Sequence, residues 1–321
     1  MNRRVFLRGS IFVILSLPLA AGAQPPRRTT TIGWLTPATV EGHWNAFREA
    51  MSALGYVEGR SVIFEQRSAD DHLDRLTRLA ADLVNSKVDI IVAVSPPAIL
   101  AAKQATKTTP IVMAFWGTTG LIESGVVASM TRPGANVTGV YMFAAELDAK
   151  RLETLLQAVP TARKVGVLDP EAVPLTEVQR AAQALRVQLV ITRVGLKDGY
   201  QRAFDSMTRA RVDALLVPSF PRFFKDAGLI IDFAAKRRIP AVYEWSSMAE
   251  DGGLMAYGPT LTELDARVAS FVDRILKGAK PADLPVEQPT KFELVINLKT
   301  AKAIGLSIPP SLAQRADRLI E

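Results

Sequence analysis

Short apolar runs alternate with amphipathic segments along most of the chain. In the first half, strands are predicted at residues 31–35, 62–67, 90–94, 111–115 and 137–142, and helices at 44–54, 73–84, 97–106 and 122–130. Several of these strand candidates are apolar throughout, which is typical of parallel strands covered on both faces. The pattern therefore predicts an α/β lobe built on a parallel sheet.

The same alternation starts again after residue 142. Strands are predicted at 164–168, 189–194, 214–217 and 241–243, and helices at 146–158, 175–185, 200–209 and 223–236. We expect a second lobe here, because a single sheet of ten or more strands would be unusual. Right-handed crossovers then give two doubly wound lobes. One large α/β domain is the alternative.

The last part of the chain contains more elements than the two lobes need. A strand at 253–259, a helix at 261–276, a strand at 292–297 and an amphipathic end helix in "PPSLAQRADRLIE" are predicted there. A chain that returns to both lobes crosses between them several times. We therefore expect a hinge of several segments that bend together.

The N-terminus has the composition of an export signal. "MNRRVFLRGSIFVILSLPLAAGAQ" joins a basic start to an apolar stretch and a small-residue cleavage site near Ala23, which predicts a signal peptide over residues 1–23. Arg3-Arg4 resembles a twin-arginine signal, although Asn2 leaves the export route open. An uncleaved anchor is the alternative, but the apolar run is about half the roughly 20 residues that a membrane helix needs. We expect a periplasmic protein without stable membrane insertion after cleavage.

Charge and composition exclude several classes of protein. Removing residues 1–23 takes away three arginines and lowers the formal charge from +7 to +4, with no basic block that would predict nucleic-acid binding. The chain has no cysteine, which excludes disulfides, thiolate metal sites and a cysteine nucleophile. It also lacks the G-x-S-x-G, G-x-G-x-x-G and P-loop motifs, and its two histidines do not have metal-ligand spacing. We expect neither an enzyme nor a cofactor or metal site.

Five stretches resemble a known family: "LGYVEGRSV", "DIIVAVSPPAILAAKQATKTTPIV", "SMTRPGANVTGV", "GGLMAYGP" and "ILKGAKPADLPVEQPTKFELVINLKTAKAIGLSIPPSL". They are similar to type I periplasmic binding proteins, specifically the ABC-transporter substrate-binding family with the tryptophan/tyrosine-type receptors. The resemblance implies two Rossmann-like lobes joined by a multi-segment hinge, and a small-molecule ligand passed to an ABC permease. It assigns residues 29–141 and 256–279 to the N-terminal lobe, and 142–255 and 283–321 to the C-terminal lobe.

Ligands of open α/β sheets bind beyond the carboxyl ends of the strands. Ser95 is predicted to cap the helix that opens at Pro97 and, with the free amides there, to hold a ligand carboxylate; an ordinary capped helix is the alternative. Trp116 is predicted to stack on a planar ligand, with a core or hinge tryptophan as the alternative. The other candidates in this lobe are Thr36, Pro37, Pro96, Pro97, Gly117 and Thr118.

The second lobe supplies the opposite wall of the predicted cleft. Glu244 is a candidate for binding a cation or a hydroxyl, or is a solvated rim residue, and Trp245 is expected to face Trp116. Tyr141 and Tyr257 lie near predicted lobe crossings, so a ligand contact and a hinge role both fit them. His43 is interpreted as a helix-start or surface residue rather than as part of the cleft mouth. The remaining candidates are Asp169, Ser219 and Phe220.

The sequence thus predicts an exported receptor that closes on a small aromatic or carboxylated solute. Amino-acid-binding relatives resemble the chain but carry an Asp after the strand ending near Trp116, and "WGTTG" has no acid, which argues against an α-amino acid ligand. Two alternatives stay open. One is a ligand-binding sensor partner of a membrane receptor, and the other is an exported enzyme on the same fold.

Overall fold

The computed structural model describes residues 29–116, 120–142, 144–169, 175–195 and 199–321. The predicted signal peptide, Gly117 and Thr118 lie outside the described residues, and Trp116 is described by its backbone alone. Over the described ranges, no helix combines the length and the apolar character needed to cross a membrane.

The first lobe is built on a parallel sheet with the strand order β2-β1-β3-β4-β5. Its elements are β1 (Thr30–Thr36), α1 (Glu41–Ala53), β2 (Val62–Ser68), α2 (Leu76–Asn85), β3 (Ile90–Val94), α3 (Ser95–Ala105), β4 (Ile111–Trp116) and β5 (Val137–Tyr141). Every residue of β3 and β5 is buried, as their apolar character predicts. Gly139 lets β5 approach β4, because its φ is 135° and a Cβ there would lie 2.2 Å from the Met113 carbonyl oxygen.

The second lobe is built on a sheet with the strand order β12-β11-β10-β9-β8-β6-β7, parallel except between β10 and β11. The prediction of two sheets is therefore confirmed, and the alternative of one large sheet is excluded. Its strands are β6 (Lys164–Asp169), β7 (Gln188–Arg193), β8 (Ala214–Leu216), β9 (Ala241–Tyr243), β10 (Met255–Gly258), β11 (Glu293–Asn297) and β12 (Arg318–Ile320). Its helices are α4 (Ala144–Ala158), α5 (Thr176–Leu185), α6 (Gln201–Ala210), α7 (Pro221–Lys225), α8 (Ala227–Arg237), α9 (Ser246–Glu250), α11 (Leu298–Ile304) and α12 (Pro310–Ala313).

The chain crosses between the sheets three times. After β5 it enters the second lobe, and after β10 it returns as α10 (Leu261–Leu276), which packs on α1, β4 and β5. Residues 284–287 then run alongside β5 of the first sheet. The Glu287 amide donates a hydrogen bond to the Gly139 carbonyl there, at 3.0 Å. Two expected lobe boundaries are corrected. The return follows Gly258 rather than residue 255, because β10 pairs with β9 and β11, and the final crossing follows Glu287 rather than preceding residue 283.

Three predicted helices differ in the structure. Residues 122–130 form turns, because Gly125 takes a φ of 66° there, and the helix at 223–236 is divided at Asp226 into α7 and α8. The prediction of an amphipathic end helix is wrong. In that segment only α12 is helical, and Arg318–Ile320 extend the second sheet as β12, parallel to β11. Pairing with a free strand edge decided this last segment over its local helical pattern.

Candidate functional site

The two lobes meet through four ring side chains, which we call the aromatic seam: His43, Phe115, Phe224 and Trp245. His43 of α1 and Phe115 of β4 come from the first lobe, with ring centroids 4.7 Å apart. The His43 ring lies 5.6 Å from Phe224 and 5.1 Å from Trp245 of the second lobe. Phe115 and Trp245 are also 6.3 Å apart. The two lobes are therefore in direct contact through buried rings.

An ion pair at the rim also joins the lobes. Lys225 Nζ of α7 lies 3.0 Å from Asp71 Oδ2, which follows β2 of the first lobe. The Lys225 side chain is 41% exposed. An ion pair this exposed contributes about 0–1 kcal/mol, which is a small part of the contact between the lobes.

His43 is fixed in the seam by a buried carboxylate. Its Nδ1 lies 3.2 Å from Asp265 Oδ2 of α10, and the two residues are 5% and 0% exposed. Burial raises the pKa of Asp265, while His43 lowers it. His43 lies in the first turn of α1, so its interpretation as a helix-start residue is confirmed. The surface interpretation is wrong, because α10 returns from the second lobe to cover α1.

Beneath the second-lobe wall lies a buried group that we call the arginine cluster: Arg151, Asp148, Ser219 and Glu244. The Arg151 guanidinium is 0% exposed; its Nη1 donates to Asp148 and, at 2.8 Å, to Ser219 Oγ. Its Nε donates to the Tyr257 carbonyl at 2.7 Å. Its Nη2 lies 3.8 Å from Glu244 Oε1, too far for a hydrogen bond. The cluster joins α4 to the ends of β8, β9 and β10.

Gly258, the last residue of β10, lets this strand approach the arginine cluster closely. A Cβ on Gly258 would lie 2.3 Å from the Glu244 carbonyl oxygen and 3.3 Å from Arg151 Nη2. The backbone of β10 therefore packs directly against the arginine cluster. This contact lies where the chain leaves the second lobe.

Burial dominates the acidity of the cluster. It raises the pKa of Asp148 to about 7, even though the Arg151 charge lowers it. Burial also raises the pKa of Glu244, against the lowering effects of Arg151, His43 and hydrogen bonds from Ser219 and Trp245. Both carboxyl groups therefore bind protons in the folded state at pH values where an exposed carboxyl is ionised.

We expect the free energy of unfolding to fall as pH rises from about 4 to about 7. Folding raises the pKa of Asp148 from 3.8 to about 7, so the native state binds the extra proton in this window. The expected change attributable to Asp148 is at least about 1.4 kcal/mol, the equivalent of one pKa unit. Urea unfolding at several pH values measures it. Asp148→Asn should flatten the slope, and Asp232→Asn, at a carboxylate 69% exposed, should not. An equal slope in Asp148→Asn would contradict the assignment.

The first-lobe candidates occupy neighbouring strand ends. Thr36 is buried, and its Oγ1 donates to the Ala38 carbonyl at 2.6 Å, while Pro37 is partly buried. Ser95 does not cap the helix as predicted: α3 begins at Ser95 itself, with Pro96 and Pro97 in its first turn. The Ser95 Oγ is instead buried, and no residue that the structure describes forms a hydrogen bond with it. The carboxylate contact at Ser95 stays a prediction.

Two residues at the same edge have a left-handed backbone conformation. Ser95 has a φ of 69° and Phe115 a φ of 66°, in the left-handed region that residues with a Cβ rarely adopt. Each such residue costs about 1–3 kcal/mol, and strain of this kind clusters at ligand sites. The ends of the adjacent strands β3 and β4 thus each contain one such residue.

The remaining candidates divide into two groups. Ser219, Glu244, Trp245 and the Tyr257 carbonyl come together at the arginine cluster and the seam. Tyr141 is buried at the end of β5, which raises its pKa to about 12, and the Tyr257 ring stacks on Phe292 at 6.2 Å. Asp169 pairs with Arg193 of β7 at 3.7 Å, and Phe220 packs on Phe223 at 6.0 Å. The side chains of these four candidates do not belong to the seam or to the arginine cluster.

Sequence reasoning missed four side chains of the site: Arg151, Asp265, Phe224 and Asp148. They lie on helices, whereas the strand-end rule selects loops and strand ends. Asp148 and Arg151 stand three positions apart, the spacing of an ordinary surface ion pair on a helix. The sequence contained no pattern that separates this buried pair from an exposed one.

The chain belongs to the family of ABC transporter substrate-binding proteins, since that family's model matches residues 37–320. A tyrosine-binding protein of Clostridioides difficile (strain R20291) is 26% identical over 265 residues, 81% of this chain and 75% of that protein. The fold matches a Streptococcus pneumonia ABC domain in complex with L-Trp, with a TM-score of 0.79 and 24% identity over 91% of this chain and all of that one. A conserved domain protein of Vibrio cholerae gives a TM-score of 0.81 and 22% identity over the same shares. The expected class and fold are thus confirmed.

Proposed function

We propose that this chain is the solute receptor of an ABC importer, exported to the periplasm and freed of residues 1–23. Two bodies would move about the three crossings: residues 29–141 with 259–287, and residues 142–258 with 288–321. The receptor captures a small solute between them and delivers it, unmodified, to the permease. The observation that carries this proposal is the aromatic seam, in which side chains of both lobes are buried against one another.

Buried polar atoms at the closed interface explain why closure would need a ligand. Four buried atoms have no hydrogen-bond partner among the described residues: Ser95 Oγ, Arg151 Nη2, Glu244 Oε1 and Asp265 Oδ1. A buried polar atom without a partner costs about 1–3 kcal/mol. A solute that supplies partners to these atoms favours the closed form over the open one, which is the requirement for ligand-driven closure.

An aromatic solute fits the site best. The seam offers the rings of Trp245, Phe115 and Phe224, and aromatic pairs add about 0.5–1.5 kcal/mol beyond area burial. The relatives named above support the same class, since one is a tyrosine-binding protein and one was solved with L-Trp. Tyrosine and tryptophan are therefore the first compounds to test.

We expect a saturating aromatic solute to reduce the radius of gyration in small-angle scattering and to raise the melting temperature. At a hundredfold excess over its Kd, a ligand stabilises the native state by about 2.7 kcal/mol, because it binds only the folded protein. Glycine is the matched control, since it carries the same ammonium and carboxylate but no ring, and it should have neither effect. A profile unchanged by every aromatic compound would count against the receptor, and turnover of the compound would favour an enzyme.

A further inference from the structure

The amino end of the second sheet carries a concentration of positive charge, which we call the basic face. It is formed by the segments that lead into four neighbouring strands, β7, β6, β8 and β9: residues 182–188, 155–164, 207–214 and 234–241. These segments contain one acid, Asp213, and eight exposed cations: Arg163, Lys164, Arg186, Arg209, Arg211, Lys236, Arg237 and Arg238. The sequence has no basic block because it divides these cations among four separate segments. The parallel sheet brings the segments to one edge.

Hydrogen bonds hold the segments of the basic face side by side. The Gln188 amide donates to the Arg163 carbonyl at 2.8 Å, and the amides of Arg163 and Lys164 both donate to Asp213 Oδ2 at 2.8 Å. Neighbouring strands are about 4.8 Å apart, so four strands place all of these cations along roughly 15 Å of the edge. The cations repel one another at this spacing, and the one acid of these segments is already bonded to main-chain amides. An anionic partner would relieve this repulsion.

Three arginines of the basic face occupy backbone positions that disfavour them. Arg186, Arg211 and Arg238 follow α5, α6 and α8 with left-handed φ values of 56°, 52° and 53°. Glycine is the usual residue at this position after a helix, and Gly305 occupies it after α11. No residue that the structure describes forms an ion pair with any of the three arginines. Their fold position therefore has a conformational cost, and their exposed charge is the property that glycine would lack.

The composition of the basic face favours a membrane surface over other anionic partners. The cations follow a row of connections instead of lining a pocket, so they suit an extended surface of charge. Leu185, which is 40% exposed, lies beside Arg186 and offers an apolar contact to the interface of a bilayer. The four segments contain no aromatic residue that could stack on the bases of a nucleic acid.

We propose that the basic face docks the exported protein on membranes rich in anionic phospholipid headgroups. From the proposed function this uses only the location outside the cytoplasm, and it does not depend on any solute. The contact is peripheral and electrostatic. The aromatic seam and the arginine cluster lie at the carboxyl ends of the strands, whereas the basic face lies at the amino ends. Docking through the basic face therefore leaves the solute site open.

Cosedimentation with vesicles tests this proposal. The vesicles contain phosphatidylcholine and phosphatidylglycerol in equal parts, and vesicles of phosphatidylcholine alone are the neutral control. The processed protein, residues 24–321, is used because an apolar signal would bind lipid by itself. We expect binding to the anionic vesicles only, and an affinity at least roughly tenfold lower at about 0.5 M salt than at about 0.05 M, because salt screens the attraction. Equal binding to neutral vesicles, or no loss with salt, would overturn the proposal.

Glycine at the three left-handed positions separates charge from folding. A cation near an anionic membrane accounts for roughly fivefold in affinity, so Arg186→Gly, Arg211→Gly and Arg238→Gly together should weaken vesicle binding roughly a hundredfold. The melting temperature should stay unchanged or rise, because glycine suits this backbone. A triple variant that binds as tightly as the wild type would overturn the proposal. A fall in its melting temperature of more than about 4 °C would overturn the argument that charge is the role of these arginines.

Two further triple variants serve as matched controls. Lysine in place of the same three arginines keeps the charge and should bind vesicles within roughly threefold of the wild type. Arg60→Gln, Lys107→Gln and Arg132→Gln remove the same net charge from exposed positions of the first lobe, and they should also preserve binding. A loss in this variant equal to that in the glycine variant would show an attraction by net charge alone. Binding to soluble polyphosphate but not to vesicles would make a polyanion the partner. Either result overturns the membrane as the partner of the basic face.

Discussion

Arg151→Met is expected to lower the free energy of unfolding by about 3–5 kcal/mol, because it removes one partner of a buried ion pair. The arginine side chain is fully buried, and it donates hydrogen bonds to Asp148, Ser219 and the Tyr257 carbonyl. Without it, Asp148 and Glu244 would be two buried carboxylates with no cation between them. Urea unfolding at pH 7 followed by circular dichroism measures the change.

The neighbouring residue provides the control for this prediction. Lys150 lies on the same helix, is 44% exposed and pairs with Glu153 on the surface. Lys150→Met should change the free energy of unfolding by no more than about 0.5 kcal/mol. A loss below about 1 kcal/mol in Arg151→Met would mean that the cluster is not a structural centre of the second lobe.

Trp245→Ala is expected to cost the closed form about 3–5 kcal/mol, the usual result of truncating a buried tryptophan. Trp245 is 4% exposed and contacts His43, Phe115 and Phe224, two of which belong to the opposite lobe. Each 1.4 kcal/mol shifts the open–closed equilibrium about tenfold. The variant should therefore have a larger radius of gyration with saturating solute than the wild type, and a much weaker affinity.

A tryptophan inside one lobe separates closure from general stability. Trp44 packs on Trp34 at 5.4 Å and on Phe64 at 5.5 Å, all within the first lobe. Trp44→Ala should lower the melting temperature but preserve the ligand-induced compaction. If both variants compact normally, the seam is a core contact and not the closing element.

The strand-end rule located one side of the site well. Ser219 and Glu244 follow β8 and β9, and both reach the arginine cluster, because the carboxyl ends of parallel strands share one edge. The same rule gave Asp169, which pairs with Arg193 instead. It could not select Arg151 or Asp265, since charged residues on helices are usually exposed and nothing local distinguishes a buried one.

Ser95 shows how local chemistry misleads at a strained position. A serine before two prolines has the composition of a helix cap, yet its φ of 69° and its place inside α3 leave Oγ unbonded. The sequence predicted that Ser95 belongs to the edge of the sheet, but the left-handed backbone that determines its orientation depends on packing around β3 and β4.

The sequence by itself determined two parallel α/β sheets, because strands buried on both faces must be apolar throughout, and that requirement is visible in short windows of residues. Only the tertiary structure decided which side chains meet at the interface. His43 and Asp265 are 222 positions apart, and they touch because α10, which follows the second crossing, returns to cover α1. Contacts of that range depend on the path of the chain between the lobes and not on any local pattern.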